Sequence, residues 1–167
     1  MNIIEIIFNA LKLIFSADAV LYEIIFLSLK VSIIALIISS SFALIVGYIL
    51  ALKNFYFKNS ILVVLNSLTG IPPVVVGLVV YFFFAHGGPL GALNLLYTPS
   101  AMIIAQIIIV FPIVTSLSHE IFLQNWQIYK DQFRSLNIPF FGVIKILTIH
   151  SYFLLITVLL TAFGRAI

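Results

Sequence analysis

The sequence predicts an all-α, polytopic membrane helical bundle of about four transmembrane helices, with an N-terminal interfacial helix and a cytoplasmic coupling-type helix added. Three observations predict it. Of the 167 residues, 63% are hydrophobic and 8% charged, with a mean hydropathy of +1.29, whereas a soluble domain carries about a quarter charged residues. Residues 59–119 and 146–164 contain no Asp, Glu, Lys or Arg. Between these runs lies a polar island, residues 119–151, which holds Glu120, Lys130, Asp131, Arg134 and Lys145 and reads as an aqueous connection between spans.

The same composition removes several function classes. The net charge of +3 comes from basic residues scattered singly between apolar runs, not from a patch that would engage nucleic acid. Without cysteine there is no disulfide, thiolate metal site or cysteine nucleophile. His86, His119 and His150 fall at different span ends with no carboxylate-rich cluster around them, which argues against a metal centre and against an acid/base set of a membrane enzyme.

A span needs about 20 apolar residues to cross a hydrocarbon core of about 30 Å, and four segments meet or approach that length. Ahead of them, Ile3, Ile4, Ile7, Leu11 and Ile14 recur at helical spacing, with Asn2, Glu5, Asn9 and Lys12 on another side. That is the pattern of a helix lying in the interface. Glu5 and Lys12 also spoil the basic start and clean apolar block of a cleaved signal peptide. Residues 1–16 therefore form an amphipathic segment ahead of a transmembrane domain at 17–167.

The first span covers about residues 24–52, with Lys30 placed to snorkel at one end. The second covers 61–85 and contains Gly70 and Pro72-Pro73, which remove two backbone donors and should kink or break the helix. A loop at 86–100 is rich in Gly and Pro and carries no formal charge; its Pro99 suits the first turn of a helix. The third span follows at 101–117 with a kink expected at Pro112, and the fourth occupies 146–164.

Lys and Arg near span ends set orientation. Lys53 and Lys58 follow span one, and Lys130, Arg134 and Lys145 follow span three, while the 86–100 loop has none. Both basic connections are expected in the cytoplasm, with the Gly/Pro-rich loop and the N-terminus outside. Arg165, after span four, is then expected near the outer surface, and no basic residue is expected at mid-span.

Within the island, Trp126, Tyr129, Phe133 and Leu136 recur at three- and four-residue spacing opposite Lys130, Asp131 and Arg134. The pattern predicts a short amphipathic helix. It suits either a helix lying on the inner leaflet or one presented to a cytoplasmic protein. Asn137-Ile138-Pro139 should end it, because Asn tolerates the left-handed cap and Pro prevents continuation.

These residues resemble the cytoplasmic loop of ABC-transporter permeases, whose pattern is Glu-Ala-Ala, three residues, Gly, nine residues, then Ile-x-Leu-Pro. Asp131 stands at the Glu position, Gln132 and Phe133 at the Ala positions, Asn137 at the Gly position, and Leu147, Ile149 and His150 at the Ile, Leu and Pro positions. Phe133 and His150 depart from the pattern. Further segments look like the tungstate branch of oxyanion permeases, in order and spacing from Leu21 to the last residue: Gly70-Ile71-Pro72-Pro73-Val74, Gly88-Pro89-Leu90-Gly91, Tyr97-Thr98-Pro99-Ser100-Ala101 and Phe163-Gly164-Arg165-Ala166-Ile167.

The resemblance implies a homodimeric channel for tungstate, molybdate or a similar oxyanion, served by an extracytoplasmic binding protein and a cytoplasmic ATPase in a bacterial or archaeal inner membrane. ATP would be held by the ATPase partner and no cofactor by this chain, which lacks a Gly-x-x-x-x-Gly-Lys phosphate loop. ATPase docking then falls to Tyr129, Asp131, Phe133, Arg134, Leu136, Asn137 and Ile138. The break at Gly70, Pro72 and Pro73, with Gln106, is the expected path and hinge; Asn66, Ser67 and Thr69 are polar neighbours that either contact the anion or bond between helices. Family members continue into a further membrane segment, so the chain is expected to be truncated at its C-terminus. A non-transporting fragment and a permease for another small solute stand as alternatives.

Overall fold

The computed structural model describes residues 19–167, and the amphipathic segment expected at 1–16 lies outside them. Six α-helices follow in order: α1 (Ala19–Leu52), α2 (Lys58–Thr69), α3 (Pro73–Phe84), α4 (Pro99–Ser135), α5 (Phe140–His150) and α6 (Tyr152–Ala166), with a 3₁₀ turn at Gly91–Leu93. The described residues contain no strand. The protein is an all-α, multi-pass membrane bundle. Helices α1 and α4 are each long and apolar enough to cross a bilayer, whereas α2 with α3 and α5 with α6 form two bent pairs, at 101° and 73°.

The second span breaks at the adjacent prolines, one of the two outcomes their missing donors allow, into two helices meeting at 101°. Two other elements differ from the sequence expectation. The third span and the amphipathic helix at 126–136 are one helix of 37 residues, α4. Polarity lowers hydropathy but breaks no helix: residues 118–125 contain neither Gly nor Pro, and Ser118 and Phe122 are fully buried. Pro112 is accommodated inside α4. The fourth straight segment starts at Tyr152, since the chain turns at Ser151, where Asn125 Nδ2 donates to the buried Ser151 Oγ at 2.7 Å. No local breaker announces that turn.

Helices α1 and α4 run parallel. Near their beginnings Gln106 Nε2 donates to Ser32 Oγ at 3.1 Å, and further along Tyr48 stacks on Phe122 with ring centroids 3.7 Å apart. The seam on α1 is a run of small buried residues, Ser32, Ala35, Ser39, Ala43 and Gly47, at three- and four-residue spacing. Such a stripe lets two backbones approach closely, which matters in lipid because apolar transfer itself drives no association there. At Gly47 the approach is closest: an added Cβ would meet Ser118 Oγ and lie 3.4 Å from the His119 backbone nitrogen. Helix α6 runs antiparallel to both, from Ser151 at Asn125 to Ala166, whose carbonyl accepts from Gln106 Nε2 at 2.8 Å.

Two layers of core fill the bundle, and a third seats α3. Ala43, Val110, Val114, Val158 and Ala162 join α1, α4 and α6; Tyr48, Phe122, Phe133, Val143, Leu147 and Leu155 join the other end of α1 to the α4–α5–α6 turn. Val76, Val80 and Phe84 of α3 pack against Ile104, Ala105 and Ile109 of α4.

The end of α4 follows the sequence expectation in detail. Asn137 has φ 53°, its N–H donates to the Arg134 carbonyl at 3.1 Å, and the Ile138 N–H donates to the Phe133 carbonyl at 3.1 Å. Together these form a Schellman cap. Asn137→Val should cost about 1–2 kcal/mol through left-handed backbone strain, with Asn137→Gly close to wild type; thermal melting of the purified protein in detergent measures both.

Candidate functional site: a broken span and a basic end

Pro72 and Pro73 occupy the positions whose N–H groups would bond the carbonyls of Leu68 and Thr69 in a continuous helix. The Leu68 carbonyl instead accepts from Ile71 N at 3.2 Å, in a tightened last turn of α2. The Thr69 carbonyl accepts from the Arg165 guanidinium, Nη2 to O at 3.0 Å. The residue expected near the outer surface thus closes the break. Beneath it lies a cavity of about 20 Å³, walled by Leu68, Ile71, Val76, Ile109 and Ile113, with Thr69 and Arg165 as its polar members.

Helix geometry fixes the level of this site along α4. The uncharged stretch of α4 from Pro99 to His119 spans about 30 Å at 1.5 Å per residue, and Ile109, on the cavity wall with Arg165, stands about 15 Å from either end. The straight segment that carries Arg165 starts at Tyr152, not at 146 as the sequence suggests, which shortens it by about six residues.

Of the other residues expected to line the path, Gly70, Pro72 and Pro73 are exposed at the break. Asn66 Oδ1 accepts from Ser116 Oγ, fastening α2 to α4. Thr69 Oγ1 donates to the Asn66 carbonyl at 2.7 Å, and Ser67 Oγ donates to the Val63 carbonyl at 2.8 Å. Gln106 does not reach the break; its amide nitrogen serves Ser32 and the Ala166 carbonyl.

At the other end α4 continues past Glu120 for about 23 Å, reaching the turn into α5. Lys53, Lys58, Lys130, Arg134 and Lys145 all belong to this end. Asp131, Arg134, Leu136 and Asn137 are exposed and Ile138 is half-buried. Phe133 is only 7% exposed and packs into the inner core, so it holds the turn together while its neighbours face outward. Tyr129 is half-buried beside His150, with its hydroxyl 3.3 Å from Nε2.

No protein-family profile matches the chain. It is 43% identical over 112 residues to the tungstate uptake system permease protein of Peptoclostridium acidaminophilum, covering 67% of this chain and 49% of that protein. It is 33% identical over 140 residues to a probable anion ABC transporter permease protein of Haloferax volcanii, covering 84% and 60%. A tungstate uptake system permease protein of Campylobacter jejuni is 28% identical over 162 residues, covering 95% and 66%. The chain belongs to the family of these permeases. It spans about half to two thirds of the length of these relatives.

Two features of the chain escaped sequence reasoning. The small-residue stripe of α1 is legible in Ser32, Ala35, Ser39, Ala43 and Gly47 once a three- and four-residue period is sought for small side chains instead of large ones. The Arg165 contact carries no local signal, because its partner is a backbone carbonyl 96 residues away.

Proposed function

We propose that the chain is the membrane subunit of a binding-protein-dependent ABC importer and forms part of the path for tungstate or a related oxyanion. The observation that carries this reading is its kinship with permeases named for tungstate uptake and anion transport. The layout supports it. One end of the bundle gathers five basic residues, while the opposite 86–100 connection has none; on the positive-inside rule the basic end is cytoplasmic and the N-terminus external.

A separate ATPase chain would dock at the cytoplasmic end, on the exposed Asp131, Arg134, Leu136 and Asn137 around the α4–α5 turn. It would supply and hydrolyse the ATP, and this chain would bind no cofactor. The binding protein would deliver the anion at the opposite face, and a second permease copy would complete the channel in the bacterial or archaeal inner membrane. Motion of the docked turn would pass directly along the unbroken α4 to Ile109 and the break. Selectivity would rest mainly on the binding protein.

Two measurements test this. Cells expressing the chain with its ATPase and binding protein should take up labelled tungstate saturably, and a complex that assembles and hydrolyses ATP without uptake would overturn the transport reading. Asp131→Ala with Arg134→Ala should weaken ATPase copurification by about tenfold, equivalent to about 1.4 kcal/mol. Unchanged copurification would remove these residues from the docking surface.

A further inference from the structure

We propose that His119 is a proton-sensitive wedge in the seam where α1 meets α4, and that protonation of its imidazole parts the two helices. The device belongs to this chain's own bundle and stands apart from the transport reading.

The first argument is an orphaned atom inside the bundle. Among the described residues three buried side-chain atoms have no hydrogen-bond partner, Ser39 Oγ, Gln106 Oε1 and His119 Nε2, and of these groups only the imidazole titrates near neutral pH. His119 is 6% exposed. Because Nε2 lies beneath the surface, a further segment or subunit docking on the bundle would cover it more deeply and could reach it only by moving a helix.

The second argument is position. His119 follows Ser118 at the closest approach of the two long helices, where a Cβ added at Gly47 would meet Ser118 Oγ and lie 3.4 Å from the His119 backbone nitrogen. Ser118 is fully buried, and one turn further on Tyr48 stacks on Phe122 with centroids 3.7 Å apart. Interiors packed this closely leave no slack. Water admitted to solvate a charged ring would have to separate the helices.

The third argument is the charge around the ring. Protonation makes both ring nitrogens donors, and a buried charge without an acceptor costs far more than a buried neutral group. The charges that act on His119 are Lys58 of α2 and Glu120. Lys58 repels a second cation. Glu120 attracts it, but consecutive residues of a helix face different sides, and Glu120 is exposed. The facing part of α1, residues 31–52, contains no Asp, Glu, Lys, Arg or His; its one titratable group is Tyr48, whose hydroxyl bonds Thr148. On α5 and α6, Lys145, His150 and Tyr152 are exposed, with His150 beside Tyr129. His119 lies past the third span expected at 101–117, and burial first, then Lys58, holds it neutral below the ordinary imidazole range.

The folded bundle therefore binds fewer protons than the unfolded chain. Its stability is full above the ordinary imidazole value of about 6.5 and is lost as pH falls below it.

The test compares wild type, His119→Leu and His119→Gln, with His150→Gln as control, by thermal melting of the purified protein in detergent from pH 7.5 down to 5. The wild-type melting temperature should fall by about 3 °C or more, the control should fall alike, and both His119 variants should lose most of the fall. Because the chain has no cysteine, Ile49→Cys with Gln124→Cys places two spin labels at exposed positions of α1 and α4. Their separation should grow in acid while His119 is present and stay constant in His119→Gln. The imidazole resonance of His119 in the wild type should titrate below its ordinary value. An equal fall in wild type and His119→Gln, a ring that titrates at or above the ordinary value, or labels that keep their separation while the ring takes up its proton would each overturn the proposal. The ring titration and the labels read a chain with His119 intact, so they decide the matter even where a His119 variant fails to fold.

Discussion

Replacing Pro72 and Pro73 together by alanine is expected to reduce oxyanion uptake by more than tenfold without loss of the folded protein. The change returns N–H donors to the positions that face the Leu68 and Thr69 carbonyls. Removing proline from a helix interior favours helix by about 3 kcal/mol per residue, and α2 and α3 would be driven toward one straight helix. Opposing this is the seat of α3 on α4, through the buried Val76, Val80 and Phe84, whose protein contacts lipid can largely replace because apolar transfer drives no association within a membrane. The backbone term is the larger. A straightened span withdraws Thr69 from Arg165 and closes the exposed break. Spin labels on α2 and α3 would read the straightening as an increased separation, alongside uptake. Full uptake with the bend abolished would show that the break serves packing alone.

The second large effect is expected at Gly47. Gly47→Leu inserts a branched side chain where even a Cβ would meet Ser118 Oγ. Overpacking of this kind costs about 1–3 kcal/mol or forces the helices apart, and here it would separate the two full spans on which α6 and α3 are built. The expected outcome is a marked loss of monodisperse protein in detergent and a lower melting temperature. Gly47→Ala should be milder, and Ser118→Ala should recover part of its cost by removing the atom in the way. That coupling is the decisive reading of a double-mutant cycle. Additive effects would show that the two helices do not pack at this point.

Much of the architecture is legible in the sequence because membrane insertion depends on one-dimensional quantities. Apolar length, the positions of charges and proline chemistry identified α1, the break at Pro72-Pro73, the start of α4 at Pro99 and the cap at Asn137. The site was legible only in pieces. Pro72 and Pro73 declare missing donors from their covalent structure, but not which group replaces them. Phe133 belongs to the same periodic stripe as Leu136, yet one is buried and the other 71% exposed; spacing identifies a helix face without saying what covers it. Polarity marks Gln106 in the sequence, but only the structure shows that its amide nitrogen bonds Ser32 and the Ala166 carbonyl and so links three helices.

By itself the sequence determined that this protein is an all-α, multi-pass membrane bundle, where its backbone must break, and to which permeases it is related. Those properties follow from local chemistry: hydrophobic length, absent N–H donors and residue-by-residue similarity. Only the tertiary structure decided that α4 runs unbroken from Pro99 to Ser135, that the chain turns at Ser151, and that Arg165 meets Thr69. The last two depend on contacts between residues far apart in the chain, Asn125 with Ser151 and Arg165 with Thr69, which no local pattern announces.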